Sequence, residues 1–139
     1  MRASVVGSGS WGTAIAAHLT LQGNQVSMWA RDPEVVEGIN REDRNPLFLH
    51  DIKLPSGIDA HGDLGKALQG AQLVVMAVPS RWTREVAHAA SHYIPRDAAV
   101  LNLAKGFDYT TNRRLSESIA EELERDSGVA ALSGPNHAE

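Results

Sequence analysis

Apolar residues along this chain come in two alternating patterns. Short runs of β-type residues occur at Ala3-Ser4-Val5-Val6, Gln25–Trp29, Ile58–Ala60, Leu73–Val78, Ala99–Leu103 and Val129–Leu132. Between them apolar positions recur at helical spacing, which predicts helices on the intervening segments. After Gly7, the residues Trp11, Ala14, Ile15, His18 and Leu19 fall on one face, and Gly23-Asn24 supplies a stop. Asp32-Pro33 reads as an N-cap followed by proline at the first helical position, with Val35, Val36 and Ile39 inward. A short helix is expected over Asp63–Leu68. A longer one carries Trp82, Val86 and Ala89 as its stripe, and another carries Leu115, Ile119 and Leu123. Arg44 to Gly57, punctuated by Pro46 and Pro55, reads as irregular.

Strand and helix alternate without an internal repeat or a linker-like stretch. With right-handed crossovers, that order predicts one α/β domain over residues 1–139, built on a doubly wound, mostly parallel sheet. Leu73–Val78 is unbroken and apolar, as expected of a strand buried on both faces. Ligands on such a sheet bind beyond the C-terminal ends of the strands, near the point where strand order reverses. The loops after Val6, Trp29, Val78, Leu103 and Leu132 are therefore the candidate site.

Composition narrows the chemistry. The chain has no cysteine, so disulfides, thiolate metal sites and a cysteine nucleophile are excluded. Thirteen Lys and Arg against 17 Asp and Glu give a net charge of −4, without the basic patch that nucleic acid requires. The apolar runs are far shorter than a membrane span, and Met1-Arg2 leads straight into a strand-like run with no signal peptide. A soluble cytoplasmic domain is the expectation.

Gly7-Ser8-Gly9-Ser10-Trp11-Gly12 is a G-x-G-x-x-G that follows the first strand and opens the first helix. Gly7 permits a tight turn, Gly9 lets a pyrophosphate approach the backbone, and Gly12 lets helix pack closely on strand. The helix N-terminus offers unpaired N–H groups to the phosphates. The second strand ends Trp29-Ala30-Arg31-Asp32. Arg31 adjoins the place where an arginine meets a 2′-phosphate, which favours NADP. Asp32 leaves NAD open, and a solvated charge at a strand end is the plain alternative for Arg31. Lys105, beside Gly106, is expected at the C-terminal end of a buried strand, where it supplies positive charge to an anionic substrate or a developing alkoxide. His88 and His92 are spaced as a helical metal pair would be, but no third ligand accompanies them, so no metal site is assigned. Trp29 and Trp82 read as packing residues, and Glu121 to Asp126 as a solvated helix face.

Several loops occur in one order: Gly7 to Ala14, Trp29-Ala30-Arg31, Asn45 with Phe48-Leu49 and Leu54-Pro55, Ala77-Val78-Pro79-Ser80, Ala104-Lys105-Gly106, and Ser133 to Glu139. Together they resemble the bacterial NAD(P)-dependent glycerol-3-phosphate dehydrogenase family across the whole chain. The resemblance implies a Rossmann-type domain that serves hydride transfer between NAD(P)H and dihydroxyacetone phosphate, supplying glycerophospholipid synthesis. It implies that Ser10, Trp11, Arg31, Lys105 and Ala138 contact the cofactor, and that Lys105, Gly134 and Asn136 contact the substrate. A homodimer is compatible with it. Asn136 stands where many relatives carry Ser or Thr, and His50-Asp51 replace a common Pro-Gly. The family continues into a helical domain that carries the proton-transfer lysine. Residues 1–139 alone are expected to bind dinucleotide without turning substrate over. A stand-alone redox-sensing module, or the front half of another two-domain reductase, is the competing expectation.

Overall fold

The computed structural model describes residues 1–125 and 128–134. Its strands are β1 (Arg2–Val6), β2 (Gln25–Trp29), β3 (Ile58–His61), β4 (Leu73–Met76), β5 (Ala99–Asn102) and β6 (Val129–Ala131). The helices between them are α1 (Ser10–Leu21), α2 (Pro33–Glu42), α3 (Leu64–Leu68), α4 (Ser80–Ala90) and α5 (Leu115–Glu122). The strands form one six-stranded sheet in the order β3-β2-β1-β4-β5-β6. Every pairing is parallel, with Val6 opposite both Trp29 and Met76. The order reverses between β1 and β4, so the loops after these two strands face the crevice where such sheets bind ligands.

The strands' alternation divides the core into two layers. Val5, Val26, Met28 and Val75 pack on one face with Ala16 of α1 and Val35 and Ile39 of α2. Val6, Val74, Met76 and Val100 pack on the other with Leu68 of α3, Ala87 and Ala90 of α4 and Ile119 of α5. Helices thus cover both sides of β1 and β4, which explains the unbroken apolar run of β4. At the β3 edge, Asn40 of α2 donates to Ala60 O at 2.9 Å and accepts from Ala60 N at 2.8 Å. Its amide pairs as a neighbouring strand would, and blunts an edge that would otherwise recruit another chain.

Some local readings of the sequence are corrected. In α1 the buried residues are Gly12, Thr13 and Ala16; Trp11, Ile15 and Leu19 flank the core half-buried, and His18 is exposed. In α4 the buried residues are Thr83, Ala87 and Ala90 instead of Trp82, Val86 and Ala89. Trp82 is 41% exposed, with the Arg81 guanidinium 5.3 Å from its ring centroid. The reason is the same in both helices. The face laid against the sheet is made of small residues, which permit close approach, and the large apolar side chains are displaced to the flanks. Asp32 occupies the N-cap of α2 but makes no capping hydrogen bond, whereas Asp63 caps α3 by accepting from Lys66 N at 2.8 Å. The β4 strand ends at Met76, two residues before Val78.

The irregular segment 44–57 is tightly built. Leu54 is buried and its N–H donates to Asp43 O at 2.8 Å, while Ser56 Oγ donates to Asp43 Oδ2 at 2.6 Å. Where the segment crosses α2, a Cβ on Gly38 would lie 2.8 Å from Pro46 Cδ and 2.9 Å from Arg44 O. Among the described residues no helix is long and apolar enough to cross a membrane.

Candidate functional site

Backbone hydrogen bonds hold the loops at the C-terminal edge side by side. Gly7 N donates to Trp29 O at 3.1 Å, Ala77 N to Val6 O at 2.8 Å, Leu103 N to Met76 O at 2.9 Å and Leu132 N to Asn102 O at 3.0 Å. The segments after β2, β1, β4, β5 and β6 therefore follow one another along one rim. That rim carries every described residue expected to bind a ligand.

The three glycines of the first loop meet different surroundings. Gly7 has φ +116, and a Cβ there would lie 2.6 Å from Ala77 O. A Cβ on Gly12 would lie 2.2 Å from Gly7 O. Both positions exclude a side chain because of the protein's own backbone. Gly9 is the N-cap of α1, in extended conformation at φ −66 and ψ 179, and a Cβ there would meet nothing within 4 Å. No side chain caps this helix. Its first N–H groups, from Ser10 onward, lack intrahelical acceptors and open on the space beside Gly9. A partial positive charge beside open space suits a pyrophosphate.

The rim's other members are placed as follows. Ser10 and Trp11 are half-buried in the first turn of α1, and Trp11 packs against the core. Arg31 is exposed just after β2 and lines a groove of about 360 Å³ with Val36, Asn40, Arg41 and Gly62. Trp29 is a packing residue as expected, half-buried against the core, with its indole N–H donating to Gly62 O at 3.1 Å. Lys105 is exposed in the loop after β5. That loop is fixed by Asn102, whose side chain accepts from Ala104 N at 3.1 Å and donates to Ala104 O at 3.0 Å. Gly134 follows β6 and is half-buried. Asn136, His137 and Ala138 lie outside the described residues.

Beyond Lys105, an ion cluster ties the β5–α5 loop to two helices. Arg84 of α4 donates from Nε to Asp108 Oδ2 at 2.7 Å, from Nη2 to Glu121 Oε2 at 2.8 Å, and from Nη1 to Glu122. Asp108 is 4% exposed and also accepts from Ser118 Oγ at 2.7 Å and Thr110 N at 2.8 Å. The Arg84 guanidinium, followed by the Ser118 and Thr110 donors, holds the Asp108 carboxyl well below the usual carboxylate range. The acidic run in α5 is thus partly a structural anchor, which corrects its reading as a solvated face. His88 Nδ1 lies 2.9 Å from Glu122 Oε2, and both His88 and His92 are exposed. No group of His, Asp and Glu among the described residues is arranged to hold a metal ion.

A cavity of about 710 Å³ lies elsewhere. Arg2, Asn24, Gln25 and Lys66 line it around the N-terminal ends of β1 and β2, opposite the rim. Size alone does not locate the chemistry here, because the rim is an open shelf.

Sequence reasoning singled out the glycine loop, Arg31 and Lys105, but missed the residues that hold them. Asn102, Asp108 and Arg84 carry no motif. Asn45 was visible only as part of a resemblance, although an asparagine before Pro46 in an irregular segment is a turn-forming signal.

The family described as NAD-dependent glycerol-3-phosphate dehydrogenase N-terminus has a profile that matches residues 2–139. A glycerol-3-phosphate dehydrogenase [NAD(P)+] of Thermoanaerobacter sp. is 42% identical over 100% of this chain and 41% of its own length. The crystal structure of a glycerol-3-phosphate dehydrogenase from Coxiella burnetii superposes with a TM-score of 0.87 at 30% identity, covering 99% of this chain and 42% of that one. A yeast glycerol-3-phosphate dehydrogenase structure gives a TM-score of 0.88 at 27% identity, covering 99% and 43%. The chain spans about two fifths of the length of the curated relatives it matches.

Proposed function

The chain belongs to the family of N-terminal domains of NAD-dependent glycerol-3-phosphate dehydrogenases, and from that membership we propose that it is the dinucleotide-binding part of an enzyme interconverting dihydroxyacetone phosphate and sn-glycerol 3-phosphate. The observation that carries the reading is the contrast within the glycine loop. Gly7 and Gly12 are closed by backbone, while Gly9 opens on free space at a helix N-terminus beside the reversal of strand order. That is the form a pyrophosphate site takes on such a sheet.

In this reading residues 1–139 form one dinucleotide-binding domain. Gly7, Gly9 and Gly12 shape the phosphate loop, and the N–H groups at Ser10 and Trp11 receive the pyrophosphate. Arg31 meets the 2′-phosphate, so NADPH is preferred over NADH. Lys105, held by the Asn102-anchored loop, faces both cofactor and substrate, and its charge stabilises negative charge developing on the substrate oxygen. Gly134 and Asn136 contact the substrate, and Ala138 the cofactor. When bound, the dinucleotide supplies the hydride; the chain's own residues bind and orient.

Titration of residues 1–139 with NADPH and NADH, followed by tryptophan fluorescence, tests this. Saturable binding, tighter for NADPH and altered by dihydroxyacetone phosphate, is expected. A folded chain that binds neither nucleotide overturns the reading.

A further inference from the structure

The glycine loop is held from behind by two buried side chains, Asn45 and Thr13. Asn45 is 0% exposed. Its Nδ2 donates to Ser8 O at 2.9 Å and to Thr13 Oγ1 at 2.8 Å. Its Oδ1 accepts from Leu47 N at 3.1 Å and Phe48 N at 3.0 Å. The amide cannot be turned over, because Leu47 and Phe48 N–H groups only donate and need the oxygen. Thr13, also 0% exposed, donates a second hydrogen bond to Ser8 O at 3.2 Å. The brace has firm backing, since Arg44 and Pro46 on either side of Asn45 lie against the α2 backbone at Gly38.

The consequence follows from peptide geometry. Among the described residues no peptide bond is cis, so the carbonyl of Ser8 and the N–H of Gly9 point in opposite directions. With the Ser8 oxygen drawn inward by Asn45 and Thr13, the Gly9 N–H faces outward. Gly9 is the position where a Cβ would meet only open space. If that peptide turned over, the loop would present a carbonyl oxygen to an anion in place of an N–H.

We propose that Asn45 is a positioning residue that sets which way the Ser8–Gly9 peptide faces, and so makes the glycine loop receptive to the dinucleotide's phosphates. The proposal rests on the dinucleotide reading above. It also gives the segment 44–57 a role, as the buttress through which α2 holds the phosphate loop.

Asn45→Asp separates this role from simple packing. The carboxylate keeps an acceptor for Leu47 and Phe48 N–H but sets an oxygen against Ser8 O, which drives the peptide outward. The expected result is a loss of about tenfold or more in affinity, as for a hydrogen bond to a charged group. The loss should be by the same factor for NADPH and NADH, because the pyrophosphate is common to both. The Gly9 amide resonance should move in the free protein. Wild-type affinity in folded Asn45→Asp, or an unmoved Gly9 amide, overturns the proposal. If Asn45→Asp does not fold, Thr13→Val carries the test by removing the second donor to Ser8 O. A loss of about threefold or more for both nucleotides, as for a weaker neutral hydrogen bond, is then expected, and unchanged affinity overturns the proposal. A wild-type chain that binds neither nucleotide overturns the dinucleotide reading itself, and this proposal with it.

Discussion

A methyl group added at Gly12 would sit 2.2 Å from Gly7 O, whereas one added at Gly9 would touch nothing. The two positions therefore answer substitution differently. Gly9→Val should fold with near-native stability and lose dinucleotide binding, because the new side chain occupies the space a pyrophosphate needs. Gly12→Val forces α1 away from β1 and should destabilise by about 3 kcal/mol, the upper end of overpacking costs, since the atom it meets is backbone. Thermal melts and nucleotide titration of both variants check the contrast. Arg31 makes a separate test at the same scale. Arg31→Ala should weaken NADPH by about tenfold to a hundredfold, the equivalent of about 1.5–3 kcal/mol for a charge-assisted contact. NADH, which lacks the 2′-phosphate, should change little. Equal losses for both nucleotides would make Arg31 a general electrostatic residue.

Between elements, the Arg84 cluster joins α4, α5 and the loop that follows Lys105. The Asp108 carboxyl is held below its ordinary range, so it stabilises the fold at pH above the unfolded value of about 3.9. That contribution is lost as pH falls below about 4 toward the folded value. Asp108→Asn should therefore lower stability at neutral pH by about 3 kcal/mol, the low end for breaking a buried pair, because the Arg84 side chain is 27% exposed. The variant's stability should also vary less with pH below about 4, which denaturant titrations at pH 3 and pH 7 measure. The cluster was illegible in the sequence, because Arg84 and Asp108 meet only once the fold places their elements together. Helix faces show the same limit. Trp82 and Trp11 outweigh Thr83 and Gly12 in any hydrophobic pattern, yet the smaller residues face the sheet. Close packing of helix on sheet selects small side chains, and that constraint appears only in the assembled layers.

At the scale of the whole molecule, element order was legible. Each strand is marked by β-branched and apolar residues and each helix by spacing, and right-handed crossovers restrict the alternation to doubly wound parallel sheets. The strand order itself is seen only in the structure. The candidate site was read from that topology together with the glycine loop. What holds the site was not legible, since Asn45 reaches Ser8 across 37 positions of sequence. The substrate side is thinner than the cofactor side. Only Lys105 and Gly134 of the expected substrate contacts lie among the described residues, and among those residues no element stands opposite the rim to fix a substrate against the nicotinamide position. Residues 1–139 should therefore oxidise NADPH with dihydroxyacetone phosphate at a negligible rate. Lost positioning can forfeit about 7–11 kcal/mol at the extreme, and the proton-transfer lysine that the resemblance places in a helical domain is worth a further factor of about 10²–10⁴. Turnover at the rate of an ordinary dehydrogenase would require a catalytic acid within these residues. The central claim is where the dinucleotide sits. Amide chemical shifts recorded during an NADPH titration test it most directly. The account predicts saturable changes at Gly7 to Gly12, Arg31 and Ala77, along the C-terminal rim. Changes confined to Arg2, Gln25 and Lys66 at the opposite cavity, or none at saturating nucleotide, would contradict it.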